Sequence, residues 1–171
     1  MTPAAALRSL RSSSRNPRSR RPDAMAARLV IAATAYRLQH ARSDAWDDVA
    51  VLAGGAETIL ASNRPVNEAR LEAAIEAAED WLMPCAPGLR GETLEVRDEA
   101  GRLKAGMESV LSVTTRRWSV ADVESFFLAL VDAATGRHPS PLLAGRQSFV
   151  ADLVVLRELA HHGRLAAIHV A

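Results

Sequence analysis

The sequence predicts a mainly α-helical fold: a single domain of about five helices, with room for one small β-hairpin, preceded by a disordered basic arm. Three observations carry this expectation. Apolar residues make up 49% of the chain while aromatics make up only 4%. Much of the apolar content is alanine, the best helix former and a small side chain that lets helices pack closely. Several segments repeat their apolar residues at helical spacing. Finally, composition breaks at Met25.

The arm comes first. Residues 1–24 hold Arg8, Arg11, Arg15, Arg18, Arg20 and Arg21 against the single acid Asp23, with a serine run at Ser12, Ser13 and Ser14. A segment this poor in apolar residues cannot bury enough surface to offset the entropy of ordering it. Its charge suits contact with phosphates, although it has no aromatic residue to stack on bases. Its Arg- and Ser-rich character equally suits an organelle presequence, and Met25 offers an alternative translation start. Lys104 is the only lysine. Arginine and alanine in such excess fit a bacterial gene rich in G and C, which weakens the special meaning of any one arginine.

The domain spans residues 25–171. From 25 to 41 no breaker interrupts Leu29, Ile31, Ala32, Ala35, Tyr36 and Leu38, and helix is the expectation, although Leu29, Val30 and Ile31 alone would suit a strand. Ser43 and Asp44 can cap a second helix through Trp46, Val49, Ala50 and Leu52, which Gly54 and Gly55 interrupt before a short turn of helix at 57–61. Asn67 caps a third, in which Leu71, Ala74, Ile75, Ala78, Trp81 and Leu82 share a face; Pro84, Pro87 and Gly88 end it. Residues 93–97 alternate like a strand, and 102–105 could return as its hairpin partner. The same stretch also accepts a helix through Leu103, Met107, Val110 and Leu111. Ser119 and Asp122 form a near capping box ahead of Val123, Phe126, Phe127, Leu130 and Val131. The last helix, about 145–162, is apolar on more than one side through Phe149, Leu153, Leu156 and Leu159, and an apolar tail docks after it.

Chemistry is sparsely signalled. Cys85 is the only cysteine, so neither an internal disulfide nor a thiolate zinc site is available. No nucleotide-binding glycine fingerprint is present, so no cofactor is expected, and no charge-free run approaches the roughly 18–20 residues of a membrane span. Glu158 and His161, three apart on the final helix, form the one Glu-x-x-His and are the candidate metal ligands. Glu72, Glu76, Glu79 and Asp80 make an acidic outer face. Arg116 and Arg117 beside Trp118 could meet an anion or nucleic acid, while Trp118 suits a staple against the following helix.

The resulting expectation is a cytoplasmic, non-enzymatic interaction protein whose partner is another protein or itself, self-associating through Phe149, Leu153 and Leu156. The alternatives are a nucleic-acid accessory protein using Arg15, Arg18, Arg20, Arg21, Arg116 and Arg117, and a metal-dependent enzyme using Glu158 and His161.

Overall fold

The computed structural model describes residues 26–43, 45–136 and 140–171; the arm at 1–24 lies outside them. A six-stranded mixed sheet with helices is its frame, which corrects the mainly helical expectation. Strands β1 (Ala27–Ile31), β2 (Ala35–Ala41) and β3 (Trp46–Ala53) form an antiparallel meander where two helices were expected. A short helix α1 (Ala56–Ile59) and a long α2 (Glu68–Leu82) lead to β4 (Thr93–Asp98), which pairs parallel to β1. Then come α3 (Arg102–Leu111), the two-residue β5 (Arg117–Trp118), α4 (Val120–Thr135), α5 (Gln147–Gly163) and β6 (Ala167–Val170). Strand order across the sheet is β3-β2-β1-β4-β6-β5.

The first two strands show why helix was the wrong expectation. In β2, Tyr36 and Leu38 are buried while Arg37 between them is exposed, the period of two that a half-buried strand demands. In β1, Leu29 and Ile31 belong to the core while Val30, flanked by Arg37 and Arg97 on the neighbouring strands, is also buried, so a near-continuous apolar run carries no period. Residues 93–97 lie in a strand as expected, but its partners are β1 and β6 instead of 102–105, which open α3. The apolar tail does more than dock: Ile168 and Val170 are core residues of β6.

The long helices lie where their periodicity puts them. Asn67 accepts from Arg70 N to cap α2, and Ser119 and Asp122 exchange both bonds of a capping box at α4. One face of the sheet, through Leu29, Ile31, Leu38, Leu94 and Val96, belongs to the core cluster shared with the helices. The other face is polar, with Arg28 donating to Glu95 and lying 3.7 Å from the ring centre of Trp46.

Helix α5 is the hub. It packs against α1, α2, α3, α4 and the 3-10 turn at Ala86–Leu89. Phe149 is 2% exposed, and Leu153 and Leu156 are fully buried. Their apolarity therefore serves the inside of this domain, and the expectation that they form a self-association surface is corrected. Among the described residues, no helix is long and apolar enough to cross a membrane.

Close approach of α3 to α5 depends on Gly106. A Cβ there would sit 2.1 Å from a carbon of the Phe149 ring. Alanine favours a helix interior by about 1 kcal/mol, but overpacking a core costs about 1–3 kcal/mol. Gly106→Ala should therefore lower the urea midpoint despite its better propensity. A midpoint equal to or above wild type would show that Phe149 turns aside freely.

Candidate functional site

β1 and β4 run parallel, so their carboxyl ends lie side by side, and in open parallel sheets that edge is where ligands gather. The turn at residues 32–34 leaves β1 on this edge. Gly55 presses against its far side: a Cβ on Gly55 would lie 2.9 Å from Ala35 N, and its φ of 53° favours glycine besides. The adjacent glycines thus mark a close backbone approach.

Arg102, first residue of α3, follows the turn after β4 and reaches across this edge. Its Nη1 donates to the Ala32 carbonyl at 3.1 Å, its Nε donates to Asp152 Oδ2 at 2.8 Å, and its Nη2 donates to Asp152 Oδ1 at 3.0 Å. Tyr36 Oη donates to the same Oδ1 at 2.5 Å, and the Tyr36 ring stacks on Trp81 with centroids 5.9 Å apart. Asp152 is fully buried on α5, so one carboxylate ties β2, α3 and α5 together beneath the edge. Burial pushes its carboxyl up to about 6, against the pull of Arg102 and Tyr36. Burial, then the neighbouring Asp152, also raises the Tyr36 phenol. For Arg102 burial opposes the charge, but Asp152 outweighs it and raises the guanidinium.

Arg102 keeps a limited exposure, 18% of its side chain. Together with Arg146 and Ser148 it lines a cleft of about 400 Å³. A second cleft, about 480 Å³, shares Ala144 and Gly145 with the first and adds Arg64, Asn63 and Gln147. The two clefts flank the start of α5, whose N-cap residue Arg146 supplies no side-chain cap to the first helical N–H groups. Arg102 and Arg146 line the first cleft and Arg64 the second, on either side of the positive end of a long helix.

The other candidates lie elsewhere. Glu158 is fully buried, whereas His161 is exposed. Glu158 is instead grouped with His162 and Glu79, their ligand atoms all within 4.8 Å of one another. Arg116, just before β5, and Arg117, its first residue, are exposed. Trp118 between them and α4 is buried, packing edge-on to Phe126 at 5.5 Å as a residue anchoring the helix start. Arg15, Arg18, Arg20 and Arg21 lie outside the described residues. Cys85 is half-buried, its thiol donates to the Leu82 carbonyl at 3.2 Å, and burial raises its pKa, which disfavours a thiolate nucleophile. Sequence reasoning passed over Tyr36, Arg102, Arg146 and Asp152. The available signal was Asp152, a lone charge inside the apolar run 149–156.

The Asp152 shift fixes a pH dependence. Its folded carboxyl titrates near 6 against an ordinary 3.8, so folded protein keeps a proton that the unfolded chain has already lost. Its contribution is complete below about pH 4 and is lost as pH rises through 6. Arg102→Met removes the cation and moves that carboxyl higher still. At pH 8 the variant should lose about 3 kcal/mol, the scale of a broken buried pair, and at pH 5 much less. Urea unfolding at the two pH values tests this; a loss independent of pH would overturn it.

No family model matches this sequence, and no curated protein matches it. Solved structures do. The chain is similar to a Ppx/GppA family member from Aquifex aeolicus, with a TM-score of 0.57 at 8% identity over 85% of this chain and 51% of that one. It is similar to the Aquifex aeolicus PPX-GPPA enzyme, with a TM-score of 0.59 at 11% identity over 85% and 52%. An exopolyphosphatase from Cytophaga hutchinsonii gives a TM-score of 0.54 at 12% identity over 86% and 53%. The chain thus spans about half the length of these structures, and at such identities the likeness is one of fold. That fold, together with the burial of α5, overturns the expectation of a non-enzymatic helical interaction protein: the architecture is α/β and resembles Ppx/GppA structures.

Proposed function

We propose that the chain is a cytoplasmic enzyme domain acting on oligophosphate anions at the carboxyl edge of β1 and β4. The observation that carries this reading is the pairing of Arg102 and Arg146 in one cleft at the start of α5, with Arg64 lining the cleft that adjoins it. The likeness to a phosphatase-type fold supports it, and a single cysteine fits a reducing compartment.

Each residue has a distinct task. Arg102 is held rigid by Asp152 and by the Ala32 carbonyl, and a guanidinium has five N–H donors, so it retains capacity toward the cleft. Arg146, half-buried at the head of α5, adds a second fork suited to phosphate oxygens. In hydrolysis, water attacks the terminal phosphorus, the bridging P–O bond breaks, the shortened oligophosphate leaves with the bridging oxygen, and the attacked group is released as orthophosphate as the water gives up its proton to solvent. Charge builds on the equatorial oxygens of the transferred group, and fixed cations that need no rearrangement stabilise it. An oligophosphate suits paired clefts because its successive charges can be shared between them.

Tripolyphosphate titrated into the full chain by calorimetry tests the reading, alongside orthophosphate release. Arg146→Ala, which leaves the Arg102–Asp152 pair intact, should weaken binding about tenfold or more, the loss of one charge-assisted hydrogen bond. Absence of binding at millimolar tripolyphosphate, or equal binding by the variant, would sink the proposal.

A further inference from the structure

Far from the arginine clefts, at the other end of α5, a second constellation of chemistry-bearing residues meets. Glu158 is fully buried. Its Oε1 accepts from Arg157 Nη1 at 2.6 Å, and Arg157 Nε in turn donates to Glu124 of α4 at 3.1 Å. Its Oε2 accepts no hydrogen bond, although it too is buried. The nearest cationic candidate is His162 Nε2 at 3.3 Å, one turn along the same helix. That nitrogen also lies 3.1 Å from Glu79 Oε1, in the last turn of α2.

A ring nitrogen carries at most one hydrogen, and the shorter of the two Nε2 contacts, 3.1 against 3.3 Å, is to Glu79. Two carboxylates thus face a single ring nitrogen, Glu158 Oε2 is buried without a hydrogen bond, and leaving such an atom unmet is costly. A cation placed among the three groups serves all of them at once.

The spacing fits a particular class of ion. Metal–ligand bonds of about 2.0–2.1 Å in a tetrahedron set neighbouring ligand atoms about 3.3 Å apart. The two N···O separations from His162, 3.1 and 3.3 Å, are of that size, and all three ligand atoms lie within 4.8 Å of one another. One imidazole and two carboxylates form a donor set for zinc or a similar first-row divalent ion. The hydrogen bond from Arg157 fixes the Glu158 carboxylate, as outer partners of metal ligands do.

We infer that Glu79, Glu158 and His162 form a site for a zinc-class divalent ion that clamps the end of α2 to the end of α5. Three protein ligands leave the fourth position to water. His161 takes no part: it is exposed, and its ring meets that of His162 edge-on at 5.0 Å.

Zinc affinity of the full chain, measured by competition with a chromophoric chelator, is the test, with thermal unfolding as a second readout. Wild type should bind one zinc per chain and unfold at a higher temperature with zinc than without. His162→Gln and Glu79→Gln should each lose more than the about 10–100-fold that an outer-shell change costs. His161→Ala should bind as wild type does. Glu79 is partly exposed, so Glu79→Gln is expected to fold even where a Glu158 variant does not, and circular dichroism checks this. No zinc uptake by wild type, undiminished uptake by His162→Gln, or an equal loss in His161→Ala would each overturn the site.

Discussion

Everything in this domain is arranged around a helix that has almost no water-facing side. Helix α5 is covered by other elements through most of its length, so each charged group it carries must find a partner inside the protein. Two acids, Asp152 and Glu158, are fully buried on it. Each is met by an arginine: Arg102 from α3 for the first, and the adjacent Arg157 for the second. These pairs decide which elements can lie against α5 and in what order. The Asp152 pair draws α3 and the start of β2 to one end, and the Glu158 group draws α2 and α4 to the other.

The meander β1–β3 was the least legible part of the sequence, for definable reasons. Trp46, Val49, Ala50 and Leu52 read as a helical stripe, yet in β3 Val49 and Val51 are 47% and 52% exposed. A register shift after Leu38 disturbs the simple alternation, so neither period is clean there. Interior β1 has the opposite problem, being apolar without alternation. By contrast α2 and α4 each have one buried face, one exposed face and a side-chain cap, and all three signals agree with the fold. Alanine abundance misled because it reports on helix propensity and is silent on what the helices pack against.

The candidate sites were legible in proportion to how local they are. Glu158 is visible as the acid of a Glu-x-x-His, but the imidazole beside it belongs to His162. At 100° per residue a spacing of four leaves two side chains about 40° apart around the axis, while a spacing of three leaves about 60°. The i+4 residue is therefore the closer partner, and Glu79 on α2 completes the group on the side where His162 lies. Arg102 and Asp152 are separated by fifty positions, and Tyr36 lies a further 66 positions before Arg102, so only the assembled sheet reveals them as one unit. Arg146 was hidden by the general excess of arginine, which removes the contrast that would make one guanidinium conspicuous.

The separation of the two constellations along α5 has a mechanistic consequence. Asp152 and Glu158 are six residues apart, a rise of about 9 Å along the axis. An ion among Glu79, Glu158 and His162 is therefore too far from the Arg102 edge to touch a phosphorus there, and its effect on that edge can travel only through the rigidity of α5. Arg102 in turn reaches the clefts from a position fixed by Asp152 on the same helix. A tie that stiffens α2 against α5 thus holds the base of the scaffold on which the guanidinium is aimed, and fixed placement is what electrostatic stabilisation of a transferring phosphoryl group requires. In the arrangement proposed here, an ion at the Glu158 end would act on the anion edge as support alone, because it contributes no group to the clefts.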